Sequence, residues 1–391
     1  MTLEQKADRN IKLIVIAKIF GKRVFLPLSA IYFMQVAGFS FAGIGLLGSL
    51  YFAVNFICDV PTGIFADRIG RKSSIKVGAA LNICSTLLYV LEPTKTGVII
   101  GTILEAIGYA FIVGAGEALI HDSLEVKNKV NDYTKVMSRA QSISLVINAG
   151  LVALVPMTYK IDPRLPFLIG TFAYLTLFIT ASFMHEVIVG SKHKFKHTVL
   201  PMLKSSGMLL FALFYGVFGA LYMAPSDQIN LAFKNLGLQP QLIGWVFASA
   251  SIFGALVGVY FHKLKLLSID RFILIDIACV VLPFISIFLG SLHILIFGTL
   301  FSMAMFRYRR GLYQDKMLEH FPGRPKATLI SMLNNFEGIH LIWIPAALGF
   351  TITKVGYQEG FGILTIFTLI TGSGFIFAAN RLFTKPKVKS L

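Results

Sequence analysis

The chain has 391 residues, 55% of them hydrophobic and only 14% charged, with a formal net charge of +17. Soluble domains are about 45–50% apolar and about 25% charged, so this composition excludes a string of two or three ordinary globular domains. A basic excess of this size would suit nucleic acid in a soluble protein, but here the distribution of the charge accounts for it and no nucleic-acid partner is expected.

Apolar runs of about 20 residues, long enough to cross a bilayer as a helix, recur between polar breaks. They predict twelve spans at 11–37, 41–64, 75–92, 97–121, 139–159, 165–185, 207–231, 240–262, 271–290, 292–315, 327–353 and 359–382. The expected fold class is an all-α integral membrane protein. No small-residue cleavage site follows a short apolar core at the start, so the first run reads as a retained helix. Within it, "AKIFGKRVFLPL" carries Lys18, Lys22 and Arg23 with no acid beside them. Pro27 lacks an N–H and deprives the Arg23 carbonyl of its helical partner, so a kink and a free acceptor are expected there.

The second span runs into "DVPTGIFADRIGRKSS", rich in Gly and basic residues. The fourth carries Glu105, Tyr109 and Glu117 and ends at His121 and Asp122; the last three charged groups read as gate residues. A long polar stretch, "HEVIVGSKHKFKHTVLPMLKSS", then separates six spans from six. The expected domains are a six-helix bundle at 1–188, a linker at 189–205 and a second bundle at 206–391. The seventh span holds Asp227, the tenth Arg307 with Arg309 and Arg310 beyond it, and the eleventh Glu337 and His340. Arg309 and Arg310 read as part of a basic belt at the membrane edge. Cys58, Cys84 and Cys279 lie in apolar runs without ligand spacing and read as small packing groups. No metal is expected.

Twelve crossings put both termini on one side, and loop charge says which. Of 36 Lys and Arg, 28 fall on the side of the termini and 5 on the other. The positive-inside rule then makes both termini cytoplasmic. A degenerate internal repeat supports two related halves: "GIFADRIGRK" after the second span and "GVYFHKLKLL" after the eighth, with His262 where the first copy has Asp67.

The stretch from Asp59 to Ser74 resembles the G-x-x-x-D-R-x-G-R-K signature between helices two and three of the major facilitator superfamily, through Gly63, Asp67, Arg68, Gly70, Arg71 and Lys72. The overall pattern is most similar to bacterial drug-exporter-type members, although the fifth span has Gly150 and Pro156 without the G-P-x-x-G-G pattern of antiporters. The resemblance implies two pseudo-symmetric six-helix halves around a central cavity lined by helices one, four, seven and ten, and a monomer in the bacterial inner membrane. It also implies a conformational latch: Asp59 in the motif network, Asp67 at the start of the eleventh helix, and Arg71 paired with an acid at the end of the fourth, here Asp122. On this reading Gly63 permits close helix approach and Gly70 the turn before the third helix.

Charges at a helix centre cost about 2.5–3.5 kcal/mol unless wet or paired, so they are functional candidates. Counting residues along each span puts Lys22, Arg23, Arg307, Glu337 and His340 near mid-depth, with Glu105 slightly to the outer side. Two readings stand. The cations face an anionic substrate, with Lys22, Arg23, Arg307, Glu337, His340 and Tyr109 as its site. Alternatively, Arg23 or Lys22 pairs permanently with Glu105 or Glu337 and touches no substrate. Tyr32, Tyr222, Trp245 and Trp343 are further candidate contacts.

No phosphate-binding glycine loop is present, so an ion gradient is the expected drive, with protons carried by Glu105 and Glu337 and no cofactor. The expected function is proton-coupled export of a small organic anion or amphipathic molecule by alternating access. Alternatives are uptake of an organic anion, translocation of a lipid headgroup, or a receptor that no longer transports. No hydrolase or metalloprotease motif points to an enzyme.

Overall fold

The structure, a computed structural model, describes residues 1–187, 206–260, 267–321 and 326–383. The expected linker at 189–205 and His262 lie outside the described residues. Among the described residues the regular structure is helical throughout. The helices are α1 (Leu3–Phe20), α2 (Leu26–Gln35), α3 (Phe41–Ile69), α4 (Arg71–Leu91), α5 (Lys95–Val126), α6 (Tyr133–Leu154) and α7 (Leu165–Phe183). They continue with α8 (Ser206–Met223), α9 (Ser226–Asn235), α10 (Pro240–Tyr260), α11 (Ile269–Phe288), α12 (Leu292–His320), α13 (Lys326–Val355) and α14 (Tyr357–Phe383).

Among the described residues, ten helical stretches are long and apolar enough to cross a membrane. Large apolar side chains such as Phe172, Phe297 and Phe377 stand on the outside, as lipid-facing groups do. The other two expected spans miss that standard for physical reasons. One is α12, whose second half carries Arg307, Arg309, Arg310 and Lys316.

The other is the first span, which is two helices. The chain leaves α1 at Gly21 and restarts at Leu26, with Pro27 in the first turn of α2, where a missing N–H does no harm. The expected free acceptor is not there: the Arg23 carbonyl takes the Leu26 N–H at 3.1 Å. The seventh span, expected as one helix, also divides into α8 and α9 around Pro225, which has no N–H to continue a helix.

The chain forms two compact units. The first gathers the described residues of Met1–Phe39, Leu50–His193 and Pro240–Ala248. Here α4 packs on α5 and α7, and α1 packs on α5, α6 and α7. Asn10 of α1 is fully buried and fully used: Nδ2 donates to Ser123 Oγ at 3.1 Å and to the His185 carbonyl at 2.9 Å, while Oδ1 accepts from His185 N at 2.9 Å. One amide thus ties α1, α5 and the end of α7 together.

The second unit gathers the described residues of Ser40–Ser49, Lys194–Gln239 and Ser249–Leu391. There α11 packs on α12 and α14, and α8 packs on α13 and α14. The first residues of α3 join this unit through two polar contacts with α13. Ser49 Oγ accepts from Ala346 N at 3.0 Å, and Thr353 Oγ1 accepts from Ala42 N at 3.1 Å.

Candidate functional site

In the first unit, the helix break between α1 and α2 presents Lys22 and Arg23 to different surroundings. Arg23 Nε donates to Glu105 Oε1 of α5 at 2.5 Å, and Tyr89 of α4 donates to Glu105 Oε2 at 2.9 Å. The Arg23 guanidinium also lies 4.4 Å from the centroid of the Tyr51 ring, a cation–π distance. Both carboxylate oxygens of Glu105 are therefore occupied, and Arg23 is held by one acid and one aromatic ring. Tyr32 is fully buried and donates to the Tyr89 carbonyl at 2.7 Å, which makes it a packing residue and corrects its reading as a substrate contact.

Lys22 is different. Among the described residues its side chain makes no ion pair and no hydrogen bond, and it lines a cavity of about 270 Å³ together with Lys18, Tyr109, Gln141 and Glu117. Apolar side chains, among them Ile14 and Ile112, form the rest of the wall. Lys18 Nζ stands 3.8 Å from Glu117 Oε1, so these two largely cancel and Lys22 leaves the cavity with one net positive charge.

In the second unit, the dominant feature is an ion pair that the sequence reading passed over. Asp276 of α11 is 0% exposed and Arg309 of α12 is 1% exposed. Arg309 Nε donates to both Asp276 oxygens, at 3.2 and 3.1 Å. Tyr222 and Tyr313 donate to the same carboxylate at 2.7 and 2.8 Å. The guanidinium lies 5.1–5.3 Å from the ring centroids of Tyr215, Tyr222 and Tyr313.

Arg310 donates through Nη2 to Glu337 Oε1 of α13 at 3.0 Å. The expected basic belt at Arg309 and Arg310 is thus corrected, because both guanidiniums turn to acids inside the unit. The available signal was Asp276 itself, a lone acid within "FILIDIACVV". Arg307 is exposed and makes no ion pair among the described residues. His340 Nδ1 accepts from Trp343 Nε1 at 3.0 Å, one turn from Glu337 but turned to another partner.

The motif after the second span forms the turn from α3 to α4. Gly70 adopts φ +128°, a conformation that L side chains rarely take. Glu186, beyond α7, closes the start of α4 by accepting from Arg71 N at 3.0 Å and Ser73 N at 3.1 Å, where a negative charge is favoured. Sequence reasoning missed this acid, which sits 115 residues from its partner. Arg71 bridges two carboxylates, hydrogen-bonding Asp67 one turn back and standing 3.5 Å from Asp122 Oδ2 of α5.

Asp59 and Arg68 are exposed and make no ion pair among the described residues. Gly63 corrects an expectation: a Cβ there would meet nothing within 4 Å, so it serves no close helix approach in this structure. His121, Asp122 and Glu125 bring ligand-type atoms within 4.8 Å of one another. Asp122 also stands 3.5 Å from Arg71, and His121 lies within 4.0 Å of both Asp122 and Glu125, so the three belong to one charge network.

Comparison with known proteins identifies the architecture. Residues 13–339 match the family model of the Major Facilitator Superfamily. The chain is 24% identical over 373 residues to the uncharacterized MFS-type transporter YxaM of Bacillus subtilis (strain 168), covering 89% of this chain and 90% of that one. The crystal structure of the nucleoside transporter NupG superposes with a TM-score of 0.81 at 13% identity, over 97% of this chain and 99% of that one. A bacterial homologue of the human lysosomal transporter Spinster, in an inward-facing and unoccupied conformation, superposes at 0.71 with 14% identity over 100% of both chains. These relatives and neighbours are named as transporters and not as enzymes. The chain belongs to the Major Facilitator Superfamily, as a multi-pass membrane protein and a secondary transporter.

Proposed function

We propose that this transporter carries a small organic anion by alternating access of two six-helix halves, coupled to protons, as a monomer in the inner membrane with both termini cytoplasmic. The observation that carries the substrate class is Lys22. It is a lysine without a counter-ion among the described residues, in a cavity whose other charges pair with each other. An anion entering that cavity supplies the missing charge, Lys22 acts as a compact point charge, and Tyr109 and Gln141 offer polar contacts around it. For Arg23, the pairing with Glu105 supports the second of its two readings, a scaffold function. Export follows the likeness to drug-exporter-type members, and uptake of the same anion is the alternative direction.

Of the two proposed proton carriers, Glu337 has the better site. Its Oε1 takes Arg310 while its buried Oε2 has no hydrogen-bond partner among the described residues, leaving an oxygen on which a proton can sit. Glu105 has both oxygens engaged and would have to break a bond first.

The test is thermal unfolding of the purified protein with a panel of organic anions, cations and neutral solutes, repeated on Lys22→Gln. A bound ligand stabilises the folded state by mass action whatever the transport direction. The expected result is stabilisation by some anions that disappears in Lys22→Gln, with the variant still folded. Equal stabilisation by cations or neutral compounds in both proteins overturns the anionic reading.

A further inference from the structure

Four cations of the first unit lack a carboxylate partner. Lys6 and Arg9 stand one turn apart on α1, and Lys72 and Lys76 one turn apart on α4. Among the described residues none of the four side chains makes an ion pair or a hydrogen bond. All 19 Asp and Glu residues of the chain lie among the described ones, so no other acidic side chain is left to answer these charges. The acids beside them do not: Glu4 is exposed and forms no ion pair, Asp8 takes Lys127, and Glu186 accepts from Arg71 N and Ser73 N.

The two pairs reach one apolar face. Helix α7 packs on both α1 and α4. Its Phe172, Leu175, Ile179 and Phe183 recur at helical spacing and are all exposed, which makes them a lipid-facing stripe. From the α1 side, Arg9 Cζ lies 5.4 Å from the Phe183 ring centroid. From the α4 side, Lys76 Nζ lies 5.2 Å from the Phe178 ring centroid. Lys6, Arg9 and Lys72 also act together on His185, just past the end of α7. Long cationic side chains with their stems on lipid-facing rings hold their charged ends at headgroup level. There a guanidinium fork and two ammonium groups suit a phosphate.

We infer that Arg9, Lys72 and Lys76 form a binding site for an anionic phospholipid in the leaflet on the side of the N-terminus. Its phosphate sits among the three cations, and its acyl chains lie along the exposed face of α7. A zwitterionic headgroup brings its own cation and gains less, so the site selects for net negative charge. The lipid is a bound partner rather than cargo, and the site is separate from the cavity around Lys22. A general basic belt at the membrane edge would not need this geometry. Lys129, Lys135 and Arg139, before and within α6, are exposed and stand over no aromatic ring among the described residues, so they supply the contrast.

The test is native mass spectrometry of the full-length protein with phosphatidylglycerol and phosphatidylcholine of matched acyl chains. The wild type should retain phosphatidylglycerol preferentially. Each cation near a membrane surface is worth about fivefold in affinity, so Arg9→Gln/Lys72→Gln/Lys76→Gln should weaken phosphatidylglycerol about a hundredfold and leave phosphatidylcholine unchanged. The control Lys129→Gln/Lys135→Gln/Arg139→Gln removes the same charge and should keep the preference. Equal losses in the two triple variants mean a diffuse belt, and no loss in the first means solvated cations; either result overturns the site. Inorganic phosphate without lipid should not stabilise the delipidated protein against unfolding. If it stabilises as much as phosphatidylglycerol does, the site takes a soluble anion and the lipid assignment is wrong. Should the first triple variant not fold, Arg9→Gln and Lys76→Gln, from opposite sides of α7, should each weaken phosphatidylglycerol about fivefold.

Discussion

Asp276 and Arg309 show what an ion pair means when water cannot reach it. Both charges lost their hydration on burial, and their stability depends on each other and on the Tyr222 and Tyr313 hydroxyls. Removing one partner strands the other. Asp276→Asn should destabilise the protein by about 3–5 kcal/mol in thermal or denaturant unfolding. The double variant Asp276→Leu/Arg309→Met, which removes both charges, should lose markedly less, and an additive loss would show that the two do not act as a pair. The charged positions of the first, fourth, tenth and eleventh spans were readable because each broke an apolar run. Their pairing was not. Periodicity locates a residue along one helix, whereas Arg23 meets Glu105 across 82 residues and Arg309 meets Asp276 across 33.

At the scale of elements, the motif from the last turns of α3 to the α3–α4 turn contains two glycines with opposite roles. Gly70→Ala forces an L side chain to φ +128° and drives a Cβ into the Glu186 carboxylate, so it should lower stability by about 1–2 kcal/mol or more. Gly63→Ala adds a methyl in open space within a helix and should be neutral or stabilising by about 0.5–1 kcal/mol. Equal losses in unfolding experiments would refute this assignment of roles. The motif's spelling identifies the turn but cannot say which glycine bears the strain, because that depends on Glu186 arriving from beyond α7.

Two ends of elements outside the membrane also make stability depend on pH. His185, just past α7, is held below its ordinary value of 6.5 by burial and by Arg9 and Lys72. The unfolded chain therefore takes the proton first, and stability should drop as pH falls below about 6.5, less so in His185→Gln. Asp8, near the start of α1, is held below its ordinary 3.8 chiefly by its hydrogen bond from Lys127. Its contribution is complete above that value and lost in stronger acid, so Asp8→Asn should flatten the acid limb of a melting-temperature profile.

For the whole molecule, ten of the twelve expected spans were legible because a bilayer imposes one requirement on every crossing, an apolar stretch of about 20 residues. The breaks in the first and seventh spans were only half legible. Pro27 announced the first, but the replacement bond from Leu26 to the Arg23 carbonyl depends on local geometry that sequence does not display. Orientation can be checked directly. A green fluorescent protein fused after Leu391 should fluoresce, and an alkaline phosphatase fused there should be inactive; the opposite pair of results would invert the topology. Lys22 has one more consequence. A charge without a counter-ion at depth in the bilayer feels the transmembrane voltage, at about 2.3 kcal/mol per elementary charge per 100 mV over the full field. On the proposed reading of an anionic substrate, a bound monovalent anion cancels this charge, so the membrane potential would act more on the return of the unloaded protein than on the loaded one.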